Sequence, residues 1–171
     1  MPTLIPRSEA LARIIAEGNS PPCLMCAIRD HKVGPTYVVY EDDEQLVSLP
    51  RYVRRWGQMN VMPKRHVTSF TEVDETIWTR TNRLALQAAR VAERVMKPRR
   101  VYLASTGSSA GELTQTSVHL HIHVIPLYLP DDKPADIFSW TEGVYVAEHD
   151  EWEALRASYM AEWASAGGVG L

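Results

Sequence analysis

Three of the chain's six histidines fall at every second position of Gln115-Thr116-Ser117-Val118-His119-Leu120-His121-Ile122-His123-Val124-Ile125-Pro126, with Leu120, Ile122 and Val124 between them. Strict alternation of polar and apolar residues is the pattern of a half-buried β-strand, so the spacing predicts that all three imidazoles leave one face of one strand. At the usual strand rise, successive same-face positions stand about 6.6 Å apart, too far for direct hydrogen bonds between the rings. They can still converge on one extended anionic group. A histidine offers a nucleophilic nitrogen, a proton near neutral pH or a metal lone pair. One histidine on its own is most simply a satisfied or solvent-facing residue, whereas three in register are costly unless something polar is bound there.

The length of 171 residues suits one domain with a sizeable core and leaves no room for a second. A net charge of −3 argues against a surface that coats nucleic acid polymers, so any nucleotide must be held by a local site. No apolar run approaches signal-peptide or membrane-span length, and the expectation is a cytoplasmic protein with no membrane partner. The only cysteines, Cys23 and Cys26, form a Cys-x-x-Cys pair, which in a reducing compartment is more often a metal or redox site than a disulfide.

Ser8 to Glu17 reads as a short amphipathic helix capped by Ser8, with Leu11, Ile14 and Ile15 on one face. Thr36–Tyr40 and Gln45–Leu49 read as a hairpin around an acidic turn, and Val101–Ala104 as a further strand. The longest periodic run is Thr71–Met96, where Thr71 and Asp74 approximate a capping box and Pro98 marks the stop. Its Arg80, Arg83, Arg90 and Arg94 read as a solvated face. The small-residue loop from Ser105 to Thr114 could bring backbone N–H groups and hydroxyls close to a phosphate. After a Pro- and Asp-rich loop comes an ill-defined segment holding Phe138, Trp140 and Tyr145. A final helix is expected from about Asp150, with Glu153 completing a capping box and Trp152, Leu155, Tyr159 and Trp163 on one face.

His119-Leu120-His121-Ile122-His123-Val124-Ile125 resembles the signature of the histidine-triad (HIT) family, His-φ-His-φ-His-φ-φ with φ apolar, and Gln115 stands where nucleotide-hydrolysing members also carry Gln. Cys23-Leu24-Met25-Cys26-Ala27-Ile28 is similar to the family's Cys-x-x-Cys-x-Ile element, and Gly57 to His66 resembles its Gly-His-φ-φ-φ-φ-Pro-Lys-x-His strand. Gln58 and Asn60 depart from that strand. So do Arg51 to Trp56, where a short proline-containing loop is usual, Ser105, where relatives carry Asn nearby, and Leu113-Thr114 before Gln115.

The resemblance implies an α+β fold with an antiparallel sheet of about five strands, one long helix across it and short helices at both ends. The whole of 1–171 would be one HIT-like domain, with a core over about 21–128, a C-terminal extension over 129–171, and a homodimer joining two sheets edge to edge. It also implies a nucleotide hydrolase or transferase in which His121 attacks the α-phosphorus to give a nucleotidyl-histidine. His123 would contact the phosphate oxygens, Gln115 and Thr116 would position the phosphate and leaving group, and Ser105 would join the phosphate site. The substrate would be a phosphoramidate, an acyl-nucleotide or a dinucleoside polyphosphate, with no organic cofactor. Zinc-containing relatives imply a structural zinc on Cys23, Cys26, His66 and His119. Three other readings remain: a phosphorylase, in which phosphate resolves the intermediate; a non-catalytic nucleotide-binding module acting through partners; and a metal-dependent hydrolase site on the triad itself.

Overall fold

The computed structural model describes residues 1–17, 23–105 and 117–166. Its centre is a five-stranded antiparallel sheet built from β2 (Tyr37–Glu41), β3 (Gln45–Leu49), β4 (Met59–Pro63), β5 (Arg100–Ala104) and β6 (Ile122–Leu127), in the order β2-β3-β4-β6-β5. The expected hairpin is β2 with β3, and Asp42 closes its turn by accepting from the amides of Glu44 and Gln45. Register across the middle of the sheet sets Asn60 of β4 opposite His123 of β6, with Ala104 of β5 on its other side. The polar positions of two departures from the sequence pattern thus meet the triad.

Helix α3 (Glu75–Met96) lies across one face of this sheet. Its buried stripe contains Ala85, Ala88, Ala89 and Ala92 beside Leu84 and Val91, and small side chains let the helix backbone approach the strands closely. Asp74 rather than Thr71 caps it: the Asp74 carboxylate accepts from the amides of Thr76 and Ile77, while Thr71 turns to Ser69. The arginine positions on its far side are exposed, as expected, and Arg80 and Arg94 pair with carboxylates.

The C-terminal helix α5 (His149–Ala166) begins just before the expected Asp150 and is a full packing element, 18 residues long. Glu151, not Glu153, reaches back to the Glu148 amide; Glu153 pairs with Arg156 instead. Trp152, Leu155, Tyr159 and Trp163 are all buried. Their rings stack on the sheet, Tyr37 against Trp152 and Tyr40 against Trp163, with centroids 5.6 and 5.1 Å apart. Tyr159 donates its hydroxyl to the Gly57 carbonyl at 2.7 Å, and Gly57 has a φ of +90°, where a Cβ would stand 2.7 Å from that same oxygen.

The remaining elements lie outside the five-stranded sheet. Helix α1 (Arg7–Ala16) starts at Pro6 with no side-chain cap, so Ser8 sits inside the first turn rather than before it; proline's fixed φ already suits a helix start. Helix α2 (Leu24–Arg29) carries Cys23 as its cap. The segment without clear periodicity forms α4 (Pro134–Ser139) and β7 (Val144–Val146), and β7 pairs with β1 (Thr3–Ile5) in a small second sheet. Among the described residues no helix is long and apolar enough to cross a membrane.

Arg55 ties the two regions together. Its buried guanidinium holds the Asp132 carboxylate through Nε and Nη2, and Glu142 at 2.6 Å; Asp132 also accepts from the amides of Tyr128 and Leu129. Asp132→Ala removes the buried partner and the acceptor of two backbone amides but leaves Arg55 its Glu142 contact, so it should lower stability by about 1 to 3 kcal/mol in urea unfolding. The pairing with Arg55 and the amide bonds hold the Asp132 carboxyl below its ordinary value despite its burial. Its contribution is therefore complete above about pH 4 and is lost as pH falls through the folded value. The same variant should show a flatter acid limb than wild type.

Candidate functional site

The triad lies where β6 begins. His123 is in the ladder, whereas His119 and His121 precede it. Released from strict pleat geometry, the rings of His121 and His123 tilt into an edge-to-face pair with Nε2 atoms 3.1 Å apart. The strand-rise estimate of non-touching rings fails for this pair, because that estimate assumes a regular strand through all three positions.

Each imidazole has a distinct set of partners. His119 is fully buried; its Nε2 meets the Pro63 carbonyl at 2.8 Å and therefore carries the proton, leaving Nδ1 bare. Burial pulls its pKa down to about 4, so the ring is neutral at pH 7. That bare nitrogen stands 3.6 Å from Cys23 Sγ and 3.5 Å from Cys26 Sγ, and His66 Nδ1 is 3.3 Å from Cys26 Sγ. Donor atoms of Cys23, Cys26, His66 and His119 all lie within 4.8 Å of one another. A tetrahedral zinc with S and N ligands needs its donors about 3.3 to 3.8 Å apart, so both chemistry and spacing suit that ion.

His121 uses the opposite tautomer. Its Nδ1 is 2.7 Å from the His119 carbonyl, which can only accept, so Nδ1 carries the proton and Nε2 keeps its lone pair. His123 Nδ1 faces two amides, Asn60 Oδ1 at 2.9 Å and Gln58 Nε2 at 3.2 Å. A proton on Nδ1 satisfies Asn60; a proton on Nε2 satisfies Gln58 and reaches toward His121. Burial, then the charges of His121 and Arg54, hold the His123 pKa well below the ordinary histidine value. The pair can thus pass one proton between named atoms without becoming two cations.

His121 and His123 line a cavity together with the polar side chains of Arg54, Gln58, Asn60 and Ser117, and Ile28, Val33, Leu49 and Tyr52 are among its other lining residues. Ser105, at the end of β5, has a buried hydroxyl with no hydrogen-bond partner among the described residues. Gln115 and Thr116 lie outside the described residues. The structure therefore brings together the three histidines, Cys23, Cys26 and His66. Arg54, Gln58, Asn60 and Trp140 were not expected as site residues. Gln58 and Asn60 had a readable signal, since polar residues alternating with Met59 and Val61 point to the same side where the chain enters β4; Arg54, in a loop, had none.

A five-stranded antiparallel sheet with one helix across it, and a buried histidine pair lining a cavity, defines the class. The sequence matches the HIT domain family model over residues 31–129, and the chain belongs to that family. A HIT-like protein of Borreliella burgdorferi, itself uncharacterised, is 30% identical over 114 residues, 64% of this chain and 78% of its own length. An uncharacterised HIT-like protein of Mycoplasma genitalium is 26% identical over 107 residues, 62% of this chain and 73% of its own. Among solved structures, a zinc-bound histidine-triad family protein of Mycobacterium smegmatis superposes with a TM-score of 0.68 at 21% identity, covering 86% of this chain and 97% of that one. A hypothetical histidine-triad nucleotide-binding protein of Sulfolobus tokodaii gives 0.67 at 24% identity, covering 84% and 93%. These two likenesses support the fold.

The tautomers are directly observable. In nitrogen-detected NMR at pH 6.5, His119 should appear as the Nε2–H form and His121 as the Nδ1–H form, and His123 should be neutral. A His121 ring protonated on Nε2 alone would contradict the assignment.

Proposed function

We propose that the protein is a nucleotide hydrolase or transferase that works through a nucleotidyl-histidine on His121. The observation that carries this reading is the His119 carbonyl fixing a proton on His121 Nδ1, which leaves the Nε2 lone pair at the cavity wall. An imidazole so oriented is a nucleophile at neutral pH without a separate base. In the first step Nε2 bonds to the α-phosphorus of a nucleoside 5′-phosphate derivative, and the bond from phosphorus to the leaving group breaks. Water or another acceptor then displaces His121. His123, Ser105, Gln115 and Thr116 would hold the phosphate oxygens and the leaving group, with the nucleoside along the apolar wall.

Cys23, Cys26, His66 and His119 would hold a structural zinc, which supplies a cross-link rather than a reaction step. In its absence burial, then the adjacent Cys23, pushes the Cys26 thiol up to about 11, so a bound cation is what would draw out the thiolate. We further propose one HIT-like domain over the whole chain and a homodimer through sheet edges; β5 is an edge strand with Leu103 46% exposed, which supports that contact.

His121→Ala should reduce turnover of a nucleoside phosphoramidate or dinucleoside polyphosphate by about a thousandfold or more while nucleotide affinity changes little. Retained turnover would mean a different nucleophile. Metal analysis of protein purified without a histidine tag should find about one zinc per chain, and His119→Ala should lose it; less than about a tenth of an equivalent in the wild type would remove the zinc assignment.

A further inference from the structure

Four buried side-chain atoms have no hydrogen-bond partner among the described residues: Thr36 Oγ1, Arg54 Nε, Ser105 Oγ and Trp140 Nε1. Three of the four, Thr36, Arg54 and Trp140, belong to residues lining the triad cavity. Buried polar groups are almost always paired, so unpaired donors gathered in one cavity call for a partner that arrives with the ligand.

Arg54 is the most demanding of them. It is only 4% exposed, and no carboxylate among the described residues pairs with it. The contrast with its neighbour is instructive, because Arg55 has both Asp132 and Glu142. Burial lowers the Arg54 pKa only to about 10, so the side chain is a cation at neutral pH. Its guanidinium carbon stands 5.3 Å from the Phe138 ring centroid and 5.9 Å from that of Trp140, which fixes the group without satisfying its N–H donors. Trp140 itself is held at a φ of +60°, an uncommon conformation for a bulky residue, at the end of α4. A cation and an indole N–H, each with a nitrogen that has no partner among the described residues, thus line the same cavity as His121 and His123.

We propose that Arg54 and Trp140 Nε1 form a subsite for a second phosphate group of the substrate, the one next to the phosphoryl group transferred to histidine. This rests on the nucleotidyl-histidine reading and narrows it to nucleoside polyphosphates, in preference to substrates whose leaving group is an uncharged amine. A guanidinium offers several N–H donors to phosphate oxygens, and the low-polarity surroundings strengthen each bond. The same subsite would hold the phosphate leaving group after the phosphorus–oxygen bond breaks, with its charge already neutralised.

The test compares adenosine diphosphate with adenosine monophosphate by calorimetry, and a dinucleoside polyphosphate with adenosine phosphoramidate by turnover. Wild type should bind the diphosphate about 30-fold more tightly than the monophosphate, and Arg54→Met should collapse that ratio to less than about threefold through loss of the diphosphate. Turnover of the polyphosphate should fall about tenfold further than turnover of the phosphoramidate, which shares only the loss of the Arg54 charge beside His123. Trp140→Phe keeps the ring and removes the N–H, so it should lower the binding ratio about fivefold and serves if Arg54→Met fails to fold. Equal losses on both nucleotides, or an unchanged ratio in the variants, would overturn the proposal. His121→Ala separates the two claims: it should abolish turnover yet keep the binding ratio. A wild type that turns over neither substrate but keeps an Arg54-dependent ratio would remove the catalytic reading and leave the subsite standing.

Discussion

The site depends on how His119 is held. Its Nε2 proton is taken by the Pro63 carbonyl at the end of β4, its Nδ1 faces the two cysteines, and its own carbonyl receives the His121 Nδ1 proton. One buried ring therefore links α2 and the end of β4 to the orientation of its neighbour. Such shared bonding links the Cys/His cluster on one side of the chain to the tautomer of His121 on the other. The backbone turns ahead of β6 at this point, and that departure from a regular strand lets His121 and His123 approach to 3.1 Å.

Around that centre the chain places polar groups where a strand would ordinarily bury apolar ones. Gln58, just before β4, and Asn60 within it are buried beside His123 and offer one donor and one acceptor to the same ring nitrogen. A fixed tautomer would need only one of them; two allow the proton to reside on either nitrogen of His123. Arg54 and Arg55 divide labour across adjacent positions. Arg55 secures the 128–142 segment to the sheet, and that segment in turn brings Phe138 and Trp140 over Arg54.

Much of this was readable from residue spacing, and the failures have physical causes. Alternation marked the region of β6, but the regular strand starts only at Ile122 and His119 turns to the cysteines, away from the cavity that His121 and His123 share; helical periodicity gave α3 and the aromatic face of α5. The cysteine spacing pointed to the four-residue cluster only together with the family resemblance, because His66 and His119 are distant in sequence and their convergence is a property of the sheet. Caps moved by a few residues wherever a neighbouring carboxylate or proline competed, as at Asp74 and Pro6. The ring–ring contact was missed because periodicity assumes an ideal strand. Arg54 was missed because its meaning lies in having no partner for its Nε among the described residues, which no sequence pattern records. Gln115 and Thr116 fall outside the described residues, and their roles remain those the resemblance implies.

The central claim is that His121 Nε2 becomes bonded to phosphorus during turnover. Mass spectrometry of protein mixed briefly with a dinucleoside polyphosphate or adenosine phosphoramidate, and quenched under conditions that spare phosphorus–nitrogen bonds, tests it most directly. The account predicts a nucleotidyl adduct on the peptide containing His121, absent from His121→Ala. An adduct on His123, or turnover with no adduct on any histidine, would contradict it.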